Sequence, residues 1–297
     1  MIEGPAHNIS KTAAHMALIR ALETAKAADR RLFSDPFAHR FLPPLQRVLM
    51  LPASFPPWCR MIEAIFDRKA PGARTSGAAR TRLIDDWTRQ AVRDGIEQVV
   101  IMGAGFDCRA LRLKELHSVM VFELDRREML ALKSRLLADA SARNVVPVPI
   151  DFLTEKPEKR LLESGYAPGA KTLFIWEGVT NYLDQASVDA TFEAFARSAG
   201  GSRVIFTYVH VDALSGQSPA PGLVKLLARL RRIGEAWTFG FRPDAVSNYL
   251  ALRGFRLLAD LGAAEYRACY WPPAERPEGY EFYRAVLAEK LVVPISA

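Results

Sequence analysis

An apolar run that ends in a glycine turn constrains the fold of this chain more than any other stretch. Residues 99–102 are apolar, and Gly103-Ala104-Gly105 follows them before a helix-like segment begins. A strand, a glycine turn and a helix in this order are typical of the nucleotide-binding corner of a doubly wound α/β sheet. Gly103 permits a tight turn, and Gly105 lets a ligand approach the backbone closely. Because any buried strand followed by a glycine turn has this pattern, the downstream residues are needed to decide whether the turn binds a nucleotide.

Apolar strands alternate with helical stretches from residue 97 onward. Strands that are apolar throughout are buried on both faces, so the alternation predicts a parallel sheet covered by helices. Right-handed crossovers then give a doubly wound architecture that ends in a hairpin-like pair. The predicted strands are 97–102, 119–124, 145–150, 172–176, 203–208, 255–261 and 280–289. The predicted helices between them are 110–116, 126–140, 155–164, 185–199 and 243–252.

The chain before the sheet is predicted to be helical. Apolar residues at helical spacing predict helices over 11–31 and 78–92, and prolines divide 41–57 into short helical pieces and loops. We therefore expect residues 1–90 to form a helical N-terminal cap and residues 91–297 to form the main domain.

A predicted insertion at 211–241 interrupts the alternation after the fifth strand. It contains a loop at 215–222 and an amphipathic helix at 223–233. An insertion at the carboxyl edge of a sheet is well placed to cover a ligand. Together with the N-terminal cap it carries aromatic residues suited to a flat, apolar substrate, although packing explains many of them equally well: Phe55, Trp58, Phe66, Trp237, Phe239 and Phe241.

Composition excludes several classes of partner. The chain has 297 residues with 40 basic and 33 acidic side chains, and no block of like charges indicates nucleic-acid binding. No apolar run is long enough for a membrane span, and the first ten residues lack a signal-peptide core. Three separated cysteines, Cys59, Cys108 and Cys269, suit a reducing compartment. We expect a cytoplasmic protein with no nucleic-acid or membrane partner.

Carboxylates follow each of the first four predicted strands. Asp107 follows the glycine turn, Glu123 and Asp125 end the second strand, and Asp151 and Glu177 follow the third and fourth. Ligands of open α/β sheets bind outside the carboxyl ends of the strands. A carboxylate about 20 residues after the glycines can accept hydrogen bonds from ribose hydroxyls. Helix capping explains any one of these residues, whereas four in succession favour a binding site.

The charge of these side chains predicts a ligand without phosphate. A dinucleotide site has a third glycine in G-x-G-x-x-G, but Cys108 stands here, and Asp107 at the helix entrance repels phosphate. Asp107 can equally cap the helix. A ligand with adenine, ribose and a cationic centre fits the carboxylates better. S-adenosylmethionine has all three, and its sulfonium is attracted to carboxylates and aromatic faces.

Five motifs carry a family resemblance that runs from about residue 11 to 290. They are ART at 79–81, MGAGFDCR at 102–109, FELD at 122–125, IDF at 150–152 and WEGVTNYL at 176–183. They resemble the leucine carboxyl methyltransferase superfamily, and most closely its bacterial small-molecule branch of S-adenosylmethionine-dependent O-methyltransferases. The resemblance implies a Rossmann-like class I methyltransferase sheet of seven strands with the last one antiparallel.

The resemblance also implies roles for individual residues. Arg80 would hold the methionyl carboxylate, Asp125 the ribose, and Glu177 the methionyl amino group or the region near sulfur. The backbone of Gly103 would lie against the cofactor, and Asp151 and Phe152 would flank the adenine. The departures from the family pattern are small: Cys108 replaces a usual threonine and Met102 a usual leucine.

Methyl transfer to oxygen requires a base only for some acceptors. A carboxylate acceptor needs none, whereas a phenol or alcohol needs a nearby proton acceptor. His210, just after the fifth strand, is the histidine predicted for this role, with Tyr208 and Tyr182 predicted to position the substrate. A histidine at a strand end is also commonly bonded to the backbone. The remaining histidines form no metal cluster in the sequence, and no metal is expected.

Four functions are compatible with the sequence. The leading one is O-methylation of a carboxyl or hydroxyl group on a small, apolar or aromatic secondary metabolite. Methylation of a protein C-terminal carboxylate is the second, but it needs an open, charged groove. An NAD-dependent oxidoreductase is the third, and the missing third glycine argues against it. A cofactor-binding protein without catalysis is the fourth. The sequence leaves the oligomeric state open.

Overall fold

One seven-stranded sheet forms the centre of the chain. The structure is a computed structural model that describes residues 11–50, 55–140, 142–152, 154–215 and 223–292. The strands are β1 (Gln98–Met102), β2 (Met120–Asp125), β3 (Val145–Pro149), β4 (Thr172–Trp176), β5 (Arg203–Val209), β6 (Phe255–Gly262) and β7 (Tyr283–Lys290).

Twelve α-helices lie within the described residues. They are α1 (Lys11–Ala25), α2 (Pro44–Met50), α3 (Pro56–Lys69), α4 (Ala73–Arg93), α5 (Arg109–Arg112), α6 (Arg127–Leu136), α7 (Pro157–Glu163), α8 (Gln185–Ala196), α9 (Val211–Leu214), α10 (Leu223–Arg232), α11 (Pro243–Ala251) and α12 (Ala263–Ala268). None of these helices is both long and apolar enough to cross a lipid bilayer.

The strand order is β3-β2-β1-β4-β5-β7-β6. β1 pairs in parallel with β2 on one side and with β4 on the other, while β7 runs antiparallel to β5 and β6. The predicted α/β sheet with an antiparallel last strand is therefore confirmed. The chain changes direction across the sheet between β1 and β4, and this is the point where ligands of such sheets bind.

Both faces of the sheet are buried, as its apolar strands predict. Val99 and Ile101 of β1 pack with Ile84 of α4 on one face. Val100, on the opposite face, belongs to a second core that includes Phe192 of α8. Successive strand residues point to opposite faces, so a strand without polar positions requires helices on both sides.

Some predicted boundaries differ from the observed ones. The first helix ends at Ala25 rather than at residue 31, and Glu23 accepts the Leu32 N–H at 2.7 Å, which holds the turn that follows. The seventh strand begins at Tyr283 rather than at 280, because the Tyr280 N–H donates to Ser76 Oγ at 2.7 Å instead of to the sheet.

The segments flanking the sheet frame the site. No strand precedes β1 within 11–50 and 55–97, so this described part is helices and loops. The amphipathic helix predicted after β5 is α10, whose Leu223, Leu227 and Leu230 are buried. Residues 1–10 and most of the predicted loop, 216–222, lie outside the described residues.

Candidate functional site

A cavity of about 600 Å³ lies at the carboxyl ends of β1, β2 and β4. Two groups of elements line it. The glycine turn after β1, the end of β2 and the turn after β4 form one half, which we call the strand-end half. Residues from α1, α10 and the segment after α10 line the other, which we call the helical half.

The glycine turn has the backbone geometry that its sequence predicts. Gly103 and Gly105 have φ angles of +66° and +47°, a region that other residues rarely adopt. A Cβ atom at Gly103 would lie 2.7 Å from Cγ2 of Val179, so a side chain there would clash as well as strain the backbone. The turn therefore brings bare backbone to the cavity wall.

Asp125 ties β2 to this turn. One oxygen, Oδ2, accepts the Gly105 N–H at 2.7 Å, and Oδ1 accepts the N–H of Arg126 at 2.7 Å. Burial raises the pKa of this carboxyl, while the two backbone hydrogen bonds act in the opposite direction. A carboxylate has further lone pairs, so Asp125 can accept hydrogen bonds from a ligand in the cavity.

Glu177, directly after β4, is held by two arginines. Its Oε1 accepts from Arg80 Nε at 2.9 Å, and its Oε2 lies 3.0 Å from Arg109 Nη1. Burial opposes the charged form, but the two guanidinium groups outweigh it and lower the pKa of Glu177. Arg80 also stacks over the Tyr283 ring at 4.5 Å. Glu177 is therefore a fixed negative charge at the cavity wall.

Arg109 extends this network behind the cavity. Its Nε donates to Asp85 Oδ1 at 2.8 Å, and its Nη1 pairs with Asp107. Asp107 also accepts the Arg109 N–H at 2.7 Å, so it closes the turn that leads into α5. Although burial opposes ionisation, Arg109 and then Lys133 lower the pKa of Asp107 to about 2. Each acidic side chain of the strand-end half is thus held by at least two hydrogen-bonding or charged groups, and the pKa values of Asp107 and Glu177 are lowered.

Three residues predicted for the cofactor lie outside the cavity wall. Glu123 lies two residues before the end of β2 and is buried against Lys133, with its Oε2 2.7 Å from Nζ. Asp151 and Phe152 follow β3 at the surface, and Phe152 is 37% exposed. β3 is the edge strand, two strands away from the glycine turn.

The residues predicted for catalysis are also separated. Tyr182 lines the cavity, and its hydroxyl donates to Thr12 Oγ1 at 3.3 Å. Tyr208 is fully buried in the opposite core and donates to Asp260 Oδ2 at 2.8 Å, with a pKa raised by burial and by that carboxylate. His210 lies outside the cavity wall, and its Nδ1 accepts the Asp212 N–H at 3.1 Å at the start of α9.

Sequence reasoning missed a histidine and an arginine that do line the cavity. His15 of α1 faces it with its ring 4.8 Å from that of Phe66, and Arg229 reaches it from α10. Burial, and then the charge of Arg229, lower the pKa of His15 to about 4. Both residues lie on helices remote from the strand ends, where no sequence motif marks them.

The predicted aromatic lining is only partly present at the cavity. Trp237 lines it, whereas Phe239 and Phe241 are buried in the core behind β5. Phe55 is 62% exposed. Within the described residues, no group of three or more histidines, cysteines or acidic residues could hold a metal ion.

Comparisons with known proteins identify the family. Residues 13–196 match the family model of leucine carboxyl methyltransferases. A protein of Mycolicibacterium smegmatis named as an S-adenosyl-L-methionine-dependent methyltransferase is 35% identical over 217 residues, which cover 68% of this chain and 64% of that protein. A Mycobacterium avium protein of the same name is 32% identical over 271 residues, covering 86% of this chain and 85% of its own length.

Solved structures agree on the fold. A methyltransferase crystal structure from Thermobifida fusca superimposes with a TM-score of 0.59 at 17% identity, over 92% of this chain and 94% of its own. A DUF574 family protein from Streptomyces avermitilis gives a TM-score of 0.58 at 12% identity, over 92% and 96%. The family model and the relatives together carry the assignment: the chain belongs to the leucine carboxyl methyltransferase family.

Proposed function

We propose that this chain transfers a methyl group from S-adenosylmethionine to a carboxyl or hydroxyl oxygen of a small molecule. The chain is an S-adenosylmethionine-dependent methyltransferase, as its family and relatives indicate. The oxygen acceptor and the small size of the substrate are the proposed part. The observation that carries them is a single cavity with a charged strand-end half and a mostly apolar helical half.

The strand-end half fits a cationic nucleoside. Asp125 has free lone pairs for ribose hydroxyls, and the glycine turn offers bare backbone beside it. Glu177 and Asp107 keep their negative charge down to acid pH, which suits a sulfonium and opposes a phosphate. We therefore propose that Asp125 binds the ribose and that Gly103 and Gly105 support the nucleoside.

Arg80 and Glu177 are proposed to bind the amino-acid end of the cofactor. Arg80 uses its Nε for Glu177 and its Nη2 for a weak contact of 3.5 Å with Met16 Sδ, so its terminal nitrogens can still donate to a carboxylate in the cavity. When bound, the cofactor supplies a methyl group activated by a positively charged sulfur. The adenine contacts of Asp151 and Phe152 remain predictions that require the ligand to extend past the cavity wall towards β3.

The helical half favours an enclosed small substrate. Met16, Leu226, Leu230 and Trp237 give this side an apolar wall, and about 600 Å³ is within the usual range for small-molecule sites. We propose that the helices before β1 and the segment at 211–241 exclude water and align the acceptor. For an in-line displacement, alignment and dry surroundings supply much of the rate.

Calorimetric titration tests the donor. We expect S-adenosylmethionine and its demethylated product to bind and NAD not to bind, because the strand-end half repels phosphate. Asp125→Ala should weaken both nucleosides. Thr191→Ala, a half-buried change on α8 away from the cavity, is the control with unchanged affinity. Binding of NAD alone would contradict the proposed function.

Mass spectrometry of reaction mixtures tests the acceptor. The enzyme is incubated with labelled S-adenosylmethionine and with either small aromatic acids and phenols or short C-terminal peptides. Methylation of the small molecules is expected, and methylation of the peptides alone would favour the protein-directed alternative. The secondary-metabolite role and the cytoplasmic location stay predictions, and three free cysteines are compatible with the latter.

A further inference from the structure

The helical half contains polar groups that have no partner among the described residues. Neither ring nitrogen of His15 forms a hydrogen bond with a described residue, although the side chain faces the cavity and is partly buried. The indole N–H of Trp237 is buried and also lacks a partner among the described residues. A buried polar group is normally satisfied, so a partner for the Trp237 N–H is expected to come from a ligand in the cavity, and His15 lines the same cavity.

Arg229 adds an uncompensated positive charge to the same half. It lines the cavity from α10 and forms no ion pair or hydrogen bond with a residue in the described ranges. Arg229 is itself exposed; after burial, its charge contributes to the low pKa of His15, and it opposes the rise in the pKa of Tyr280 that burial causes. By contrast, Arg80 and Arg109 at the strand ends are both neutralised by carboxylates.

Other charged groups near His15 are paired elsewhere. The elements packed against α1 are the turn at 38–41, α3 and α4. Three arginines on these elements form ion pairs with carboxylates: Arg40 with Asp139, Arg74 with Glu63 and Asp67, and Arg80 with Glu177. Arg229, from α10, is the charge that acts on His15 across the cavity.

We propose that His15 accepts the proton of an acidic hydroxyl group on the methyl acceptor, such as a phenol or enol, and that Arg229 stabilises the resulting oxyanion. This inference rests on the proposed function and names its substrate class. Among the described residues, His15 has no hydrogen-bond partner and Arg229 has no counterion, and both line the same cavity, where they can accept a proton from a hydroxyl and stabilise the oxyanion. A carboxylate acceptor would need Arg229 but not His15.

The reaction moves one proton and one methyl group. The acceptor O–H bond breaks as its proton passes to a ring nitrogen of His15, while the oxygen forms a new bond to the methyl carbon. The bond between that carbon and the donor sulfur breaks, and its electron pair stays on sulfur as a neutral thioether. The His15 imidazolium then releases its proton to solvent, which restores the neutral base.

The positive charge of Arg229 and the low pKa of His15 favour an acceptor with an acidic hydroxyl group. Arg229 makes His15 a weaker base, but the same positive charge lowers the pKa of a hydroxyl bound beside it. Proton transfer is efficient when the two pKa values are close. Such a charge moves the pKa of a phenol, near 10 for tyrosine, towards that of His15, whereas an aliphatic alcohol is far less acidic and stays much further away.

A spectroscopic titration with 4-nitrophenol tests the proposal without turnover. The probe is added to the enzyme saturated with S-adenosylhomocysteine, and its phenolate absorbance is followed against pH. We expect the bound probe to ionise at a lower pH than the free probe, with a shift corresponding to about tenfold or more in its acid dissociation constant. Arg229→Gln should remove the shift, and Arg231→Gln, an exposed arginine on the same helix, should keep it.

Methylation of phenol, which keeps its proton at neutral pH, tests the role of His15, because 4-nitrophenol is acidic enough to ionise without a base. With S-adenosylmethionine present, His15→Gln should lower kcat for phenol by about 100-fold and flatten its pH dependence, because the proton acceptor is lost. His15→Asn serves as a second variant, and His117→Gln, which lies at the surface, is the control. Bound S-adenosylhomocysteine in each variant shows that the fold and the cofactor site are intact.

The outcomes separate this inference from the proposed function. Failure to bind S-adenosylhomocysteine would contradict the proposed function itself. Normal binding of that nucleoside without binding of 4-nitrophenol, or with no shift in its ionisation, would overturn the role of Arg229. An unchanged kcat and pH profile in His15→Gln would overturn the role of His15, even if methyl transfer continues.

Discussion

The two halves of the cavity treat their polar groups in opposite ways. In the strand-end half, two or more hydrogen-bonding or charged groups of the protein hold each of three carboxylates, Asp107, Asp125 and Glu177. In the helical half, His15 and Arg229 have no such partners among the described residues. The polar groups of the strand-end half are thus held in place before a ligand binds, whereas His15 and Arg229 in the helical half gain partners when a ligand binds.

The difference between the halves corresponds to the difference between the cofactor, which is the same in every turnover, and the methyl acceptor, which the enzyme must select. Preorganised charges cost no rearrangement when a ligand of fixed chemistry binds, so the strand-end half suits a cofactor that is the same in every turnover. Unpartnered groups lose hydrogen bonds to water unless a complementary ligand replaces them. The helical half therefore carries the selectivity for the acceptor.

The sharpest test of the strand-end half removes its central cation. Arg109→Met leaves Asp85, Asp107 and Glu177 buried without this guanidinium, so we expect a loss of about 3–5 kcal/mol in the free energy of unfolding. Urea denaturation measures it. Arg242→Met, which breaks an exposed pair with Asp244, should leave stability unchanged. Equal effects of the two changes would contradict the preorganised network.

Two carboxylates on β2 are expected to have different roles: Glu123 in stability and Asp125 in cofactor binding. Glu123→Gln leaves Lys133 buried without its counterion, so it should cost about 3 kcal/mol in stability with cofactor affinity intact. Asp125→Asn weakens hydrogen bonding at the cavity, so S-adenosylmethionine affinity should fall about tenfold or more. Denaturation and calorimetry on both variants distinguish the roles. A loss of affinity in Glu123→Gln at retained stability would restore Glu123 as a cofactor ligand.

The helical half should have a signature in the pH dependence of stability. The pKa of His15 falls from 6.5 to about 4 on folding, so the unfolded chain binds more protons between these values and stability rises with pH across that window. Relative to His15→Gln, the wild-type enzyme should lose about 3 kcal/mol between pH 7 and pH 4. Melting curves of both proteins across that range measure the difference. Parallel curves would show that His15 is not held neutral.

The smallest expected effect concerns the histidine predicted from sequence. His210 accepts the Asp212 N–H at the start of α9, so His210→Ala should cost about 1 kcal/mol, as the loss of a helix cap does. Because the side chain lies outside the cavity wall, methyl transfer should continue at the wild-type rate. A drop in kcat of tenfold or more, with stability retained, would make His210 the base and remove that role from His15.

Much of the strand-end half could be predicted from the chain alone. Ligands of a parallel sheet bind at strand ends, so the residues directly after each strand are local in sequence and share one place in space. Gly103, Gly105, Asp125 and Glu177 all line the cavity for this reason. Glu123 does not, because it lies two residues before the strand end and pairs with Lys133, whereas Asp125 at the end of β2 reaches the glycine turn.

The sequence by itself determined the strands, the glycine turn and the acidic strand ends, since these depend on periodicity and on short-range geometry. Only the tertiary structure decided which histidine faces the cavity. His15 and Arg229 are 214 positions apart on two helices, and their meeting depends on how α1 and α10 pack over the sheet. Helix packing is set by many weak contacts spread along the chain, and no local motif encodes it.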